Sequence, residues 1–105
     1  MAEENRVFHV LPVPDAANTS AQAIEVMRAW IIDQQLTLTL SPNVFDRPDV
    51  WGTLLADCAF HVANAMSQLQ AGVDVPETMK QIQESFNQKM KESNENRGSI
   101  QVASS

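Results

Sequence analysis

Val26-Met27-Arg28-Ala29-Trp30-Ile31-Ile32-Asp33-Gln34-Gln35-Leu36-Thr37-Leu38-Thr39-Leu40 is the stretch on which the fold turns. Its second half alternates leucine with threonine, a period of two that puts every leucine on one face of a strand. Its first half is rich in Val, Ile and Trp, residues suited to a pleated, half-covered surface, and both of its faces are largely apolar. Asp33-Gln34-Gln35 is a short polar break between the two runs. The stretch predicts a β-hairpin whose second strand has one fully apolar face.

Downstream, Ser41-Pro42-Asn43 closes the hairpin, and Asp46-Arg47-Pro48-Asp49 predicts a helix start with Asp46 as cap and proline in the first turn. The stripe that follows is Trp51, Leu54, Leu55, Cys58, Val62, Ala65, Met66 and Leu69, spaced by threes and fours until Gly72 stops it. That spacing gives an amphipathic helix of about six turns. Asp74-Val75-Pro76-Glu77 reads as a capping box opening a second helix, with the thinner stripe Met79, Ile82, Phe86 and Met90.

Upstream, Val7-Phe8-His9-Val10-Leu11 is interrupted by Pro12, Pro14 and Ala16-Ala17, which predicts a brief edge strand and an irregular lead-in. From Ser93 the chain is rich in Asn, Ser, Glu and Gly and reads as a disordered tail. The expected architecture is a two-layer α+β domain over residues 1–92 with a tail over 93–105. In it a hairpin, extended by an N-terminal strand or by a symmetry mate, packs against the long helix and a second C-terminal helix. One helix covers only one sheet face, with the Leu36, Leu38 and Leu40 face expected on Leu55, Cys58 and Val62. The remaining apolar surface calls for the second helix or a second copy, hence a homodimer.

A chain of 105 residues with 44% hydrophobic and 19% charged residues makes one globular domain. At this size only about 65% of the unfolded surface is hidden on folding, which leaves a lone chain marginal. Thirteen acids against seven bases give a net charge of −6. Such an acidic surface repels phosphate backbones and anionic lipid, so neither nucleic acid nor membrane is an expected partner. No apolar run approaches the roughly 20 residues that span a bilayer. Met1-Ala2-Glu3-Glu4-Asn5 lacks the basic-then-apolar pattern of a secretory signal, so the expected location is the cytoplasm. Cys58 is the single cysteine, which excludes an internal disulfide and a CxxC knuckle.

Three constellations have the residue types for chemistry. Asp57 and His61 stand four apart on one helix face, where a carboxylate can orient an imidazole as a base; the commoner role of such a pair is a surface hydrogen bond. Cys58 and His61, three apart, can reach one metal with His9 or Asp57, but a cysteine on an apolar stripe is more often a small buried hydrophobe, so no metal site is expected. Trp51-Gly52 puts glycine in a helix at a cost of roughly 1 kcal/mol. This predicts a close approach to the backbone, by a packed neighbour such as Trp30 or by a ligand held by Trp51, Gly52 and His61. No Gly-rich phosphate loop or GxSxG elbow is present, and no cofactor is expected.

Glu25-Val26-Met27-Arg28-Ala29-Trp30-Ile31, Leu36 to Leu40, Phe45, Pro48, Trp51-Gly52, Leu55-Ala56-Asp57 and His61-Val62-Ala63-Asn64-Ala65 together resemble a small alphaproteobacterial family catalogued as domain of unknown function 5076. The resemblance runs from about Leu11 to Met90 and is most specific in the long helix. Phe60 stands where the family often has a basic residue, and Met66 where it often has an aromatic. The resemblance implies a bacterial source and supplies no activity. The functional expectation is a non-enzymatic homodimeric interaction or assembly module open to a protein partner; the alternative is a small-molecule binder or enzyme using Asp57 and His61 near Trp51.

Overall fold

The computed structural model describes residues 10–92 and 97–102. A short helix α1 (Asp15–Thr19) precedes the hairpin of β1 (Met27–Ile32) and β2 (Gln35–Leu40). A 3-10 turn at Pro42–Val44 leads into α2 (Pro48–Leu69), which is followed by α3 (Val75–Lys91) and a strand β3 (Ser99–Val102). This is the α+β class expected.

The hairpin is tighter than its sequence shows. Ile32 pairs with Gln35, so the loop is only Asp33-Gln34, and both residues have positive φ, 52° and 69°. That is the backbone of a two-residue loop matching the right-handed twist of the strands. It falls here on residues with side chains, which visit that region at a cost of roughly 1–2 kcal/mol each.

The third strand comes from the end of the chain, where the tail was expected. β3 pairs parallel to β2, in the register Leu38 with Ile100 and Leu40 with Val102, so the sheet order is β1-β2-β3 with β2 central. Such a parallel pairing needs a long crossover, and α2 with α3 supplies it. Gly98 makes the docking possible: its φ is +90°, and a Cβ there would sit 2.2 Å from the Leu36 carbonyl oxygen. The lead-in strand expected around Val7–Leu11 is not seen at Val10–Leu11, and its earlier residues lie outside the described ones.

The pairing register puts Met27, Ala29 and Ile31 of β1, Leu36, Leu38 and Leu40 of β2, and Ile100 and Val102 of β3 on one face. That face holds no polar side chain. The other bears Arg28, Trp30, Thr37, Thr39, Ser99 and Gln101. Helix caps differ from expectation at one end. Arg47, not Asp46, is the N-cap of α2, and no side chain caps it, whereas Asp74 does accept the Glu77 N–H at 2.9 Å. Glu77 does not close the box; its carboxylate accepts from Gln81 instead.

The two layers are not closed on each other within one chain. Among the described residues α2 packs along α3, but no helix makes more than marginal contact with a strand. Ala63, on the α3 side of α2, is the one buried hydrophobic residue among those described. The expected contact of Leu38 with Leu55, Cys58 and Val62 is therefore absent inside the chain: Leu55 is 39% exposed, Val62 50%, and Cys58 is exposed too. Periodicity identified the apolar stripe correctly, but the small residues Ala59, Ala63 and Ser67 are more covered than Leu55, Cys58 and Val62.

Candidate functional site

Trp51, Gly52, Asp57 and His61 all lie on α2. Asp57 and His61 are both exposed; among the described residues no hydrogen bond or ion pair joins them. The His61 ring meets Phe60 edge-on instead, with centroids 6.0 Å apart. Trp51 lies ten residues before His61, roughly 15 Å along the axis at 1.5 Å per residue.

Trp51 is instead a corner post. Its indole N–H donates to the Pro42 carbonyl at 3.4 Å, and its ring meets Phe45 edge-to-face at 5.2 Å. These contacts fix the 3-10 turn against the first turn of α2, and Trp30 takes no part in them. At Gly52 the expected packed neighbour is absent: no protein atom lies within 4 Å of where its Cβ would be. Cys58 is exposed rather than a buried hydrophobe. No three His, Cys, Asp or Glu side chains among the described residues are grouped to hold a metal ion, and His9 falls outside those residues.

Charge at this end of α2 is spent on the helix itself. Arg47 forks onto Asp49 through Nε and Nη2. This guanidinium is the first cause holding the Asp49 carboxyl below its usual 3.8; desolvation opposes it, and the backbone N–H groups of Asp49 and Val50 at the positive end of the helix add to it. A concavity of about 440 Å³ opens at the other end of the molecule, between the hairpin loop and the C-terminal turn of α3, lined by Asp33, Gln34, Lys89, Arg97 and Gly98 among others. Its cations are engaged locally, Lys89 with Glu92 and Arg97 donating to the Lys89 and Glu92 carbonyls as a C-terminal cap.

What the fold does assemble is apolar surface. Trp51, Leu55, Cys58, Val62, Ala65 and Leu69 succeed one another at spacings of four and three, a heptad seam along α2. Apart from Trp51 the seam is open, with Leu69 85% exposed. The polar-free sheet face is a second such surface, with Ile31 72% exposed and Ile100 and Val102 both open. Both were legible in sequence as stripes; that neither covers the other within the chain was not.

The sequence profile of domain of unknown function 5076 matches residues 10–94. The chain belongs to that family. The match spans the hairpin and both long helices and stops short of β3. Among solved structures, one from the photosynthetic bacterium Rhodopseudomonas palustrus CGA009, provisionally named a pyruvate dehydrogenase, is similar with a TM-score of 0.70 at 27% identity, covering 85% of this chain and 89% of that one. No curated protein matches the chain. No helix among the described residues is long and apolar enough to cross a membrane.

Proposed function

We propose that this member of the family is a non-enzymatic interaction module that works as a homodimer and offers its acidic outer surface to a protein partner. The observation that supports the reading is the pair of uncovered apolar surfaces, the sheet face and the α2 seam, on a chain with one buried hydrophobic residue among those described. Monomeric soluble proteins rarely leave such contiguous apolar patches bare, and patches of this kind mark association. We place its work in the cytoplasm, the compartment in which an exposed lone thiol such as Cys58 stays reduced. Sedimentation equilibrium at tens of micromolar protein tests the reading. A mass of twice 11.6 kDa is expected, and a monomer would overturn it.

A second reading, a small-molecule site at Asp57 and His61, draws its support from the provisional name of the palustrus structure. It requires His61→Gln or Asp57→Asn to abolish binding of a ligand while sparing the dimer. The interaction reading expects both variants to leave fold and dimer unchanged.

A further inference from the structure

We infer that the layer contact missing within one chain is made between two, the α2 seam of each copy packing on the apolar sheet face of its partner. The inference rests on the homodimer reading and adds to it which surfaces meet. The two surfaces are a matched set carried by one chain. The seam from Trp51 to Leu69 is roughly 27 Å long at 1.5 Å per residue, and a six-residue strand is about 20 Å at 3.3 Å per residue. A two-fold axis that sets seam on sheet does so twice, covering both surfaces of both copies and closing the assembly. Pairing sheet with sheet, or seam with seam, leaves one surface of each copy bare.

The residues beside the seam argue for a sheet rather than a second α2. Coiled-coil partners are held by opposite charges on the flanking positions. Here those positions are Gly52, Leu54, Ala59, His61, Met66 and Gln68, with no acid-base pair among them. The sheet face, free of polar side chains, makes no demand for such charges.

The area available suits an obligate pair. The whole chain exposes 9080 Å², against roughly 5,800 Å² for a folded monomer of this mass. That excess is larger than the ~800 Å² each partner gives to a standard stable interface. Two copies also supply the core that one lacks: Leu36, Leu38 and Leu40 of one chain would lie on Leu55, Cys58 and Val62 of the other, the contact the alternation demands.

Cys58, at the middle of the seam, is a ready reporter. The test mixes the unaltered chain with a differently tagged Ala29→Cys/Cys58→Ser chain, unfolds and refolds them together, and treats the mixture with a short bis-maleimide; Ala29 is exposed midway along β1 and pairs with Leu38 of the central strand. Linkage of unlike chains, absent when either chain is treated alone, is expected. Linkage of unaltered chains to each other would show seam on seam and overturn the inference. An internal link in an Ala29→Cys chain that keeps Cys58 would show the layers closing within one chain and overturn it too. A sedimenting dimer with no linkage overturns the pairing while leaving the homodimer standing; a sedimenting monomer overturns both.

Discussion

α2 and α3 are halves of one helical hairpin and are held in opposite ways. α3 carries its own instructions: Asp74 caps its first turn, Lys89 and Lys91 stand at its last, and of its single stripe Met79 and Ile82 are half-buried while Phe86 and Met90 are exposed. α2 begins without a side-chain cap and has two apolar sides, the small one packed on α3 and the heptad seam open. A helix apolar on two sides belongs between two layers. The difference teaches that α3 completes the chain, whereas α2 is built to be the middle of something larger.

The largest effect that can break this comparison is a charge on the seam. Val62→Asp should weaken the dimer at least ~100-fold by sedimentation, because an unpaired buried carboxylate costs several kcal/mol and each 1.4 kcal/mol is tenfold. Gln83→Asp, on the exposed outside of α3, should leave it unchanged. If both variants sediment alike, α2 is not the interface helix. Folding and pairing are expected to be one transition, so the melting temperature should rise with protein concentration.

Next in size is the sheet. Leu38→Ala should cost roughly 2–5 kcal/mol by denaturant unfolding, since it leaves a cavity under the seam, and Thr37→Ala, on the opposite face, under about 1 kcal/mol. A reversed order would mean that the register is slipped by one residue. At the level of the caps, Asp74→Ala should cost about 1 kcal/mol, with no counterpart at Arg47, where no cap exists to lose.

The smallest effect separates the helix starts by pH. The folded carboxyl of Asp49 is held below 3.8, so its contribution is present at neutral pH and is lost as pH falls through that lowered value. Asp49→Asn should therefore lower the melting temperature slightly at pH 7, and the difference should shrink as the pH is lowered below 3.8, as followed by thermal melts across that range.

The hairpin, the long helix and the capped helix were legible because each rests on a local period or a local cap. Ser99-Ile100-Gln101-Val102 alternates too, but four residues behind a polar stretch are too short a run to distinguish from chance, and its docking depends on Gly98 meeting Leu36 far away in the chain. Asp46 looked like the cap because its type is right; the helix starts one residue later, at Arg47-Pro48. The candidate site was legible only as a set of residue types at given spacings. Spacing places Asp57 beside His61 and Gly52 beside Trp51, but it cannot say whether anything faces them. In the same way, periodicity shows that a face is apolar without saying whose atoms cover it.

The parallel pairing of β2 with β3 also sets the order in which the chain can assemble. The Ser99 hydroxyl meets that of Thr37 at 3.4 Å across 62 residues of sequence. Hairpins and single helices form within about 10 μs, from neighbours, whereas joining such distant strands first incurs the entropy of closing the loop between them. β3 therefore docks last, after the hairpin and the helical crossover exist. Until it does, the central strand is an edge, with the row from Leu36 to Leu40 free to accept any extended segment, including the last strand of a neighbouring molecule. Slow refolding and strand exchange at high concentration are the liabilities this topology carries.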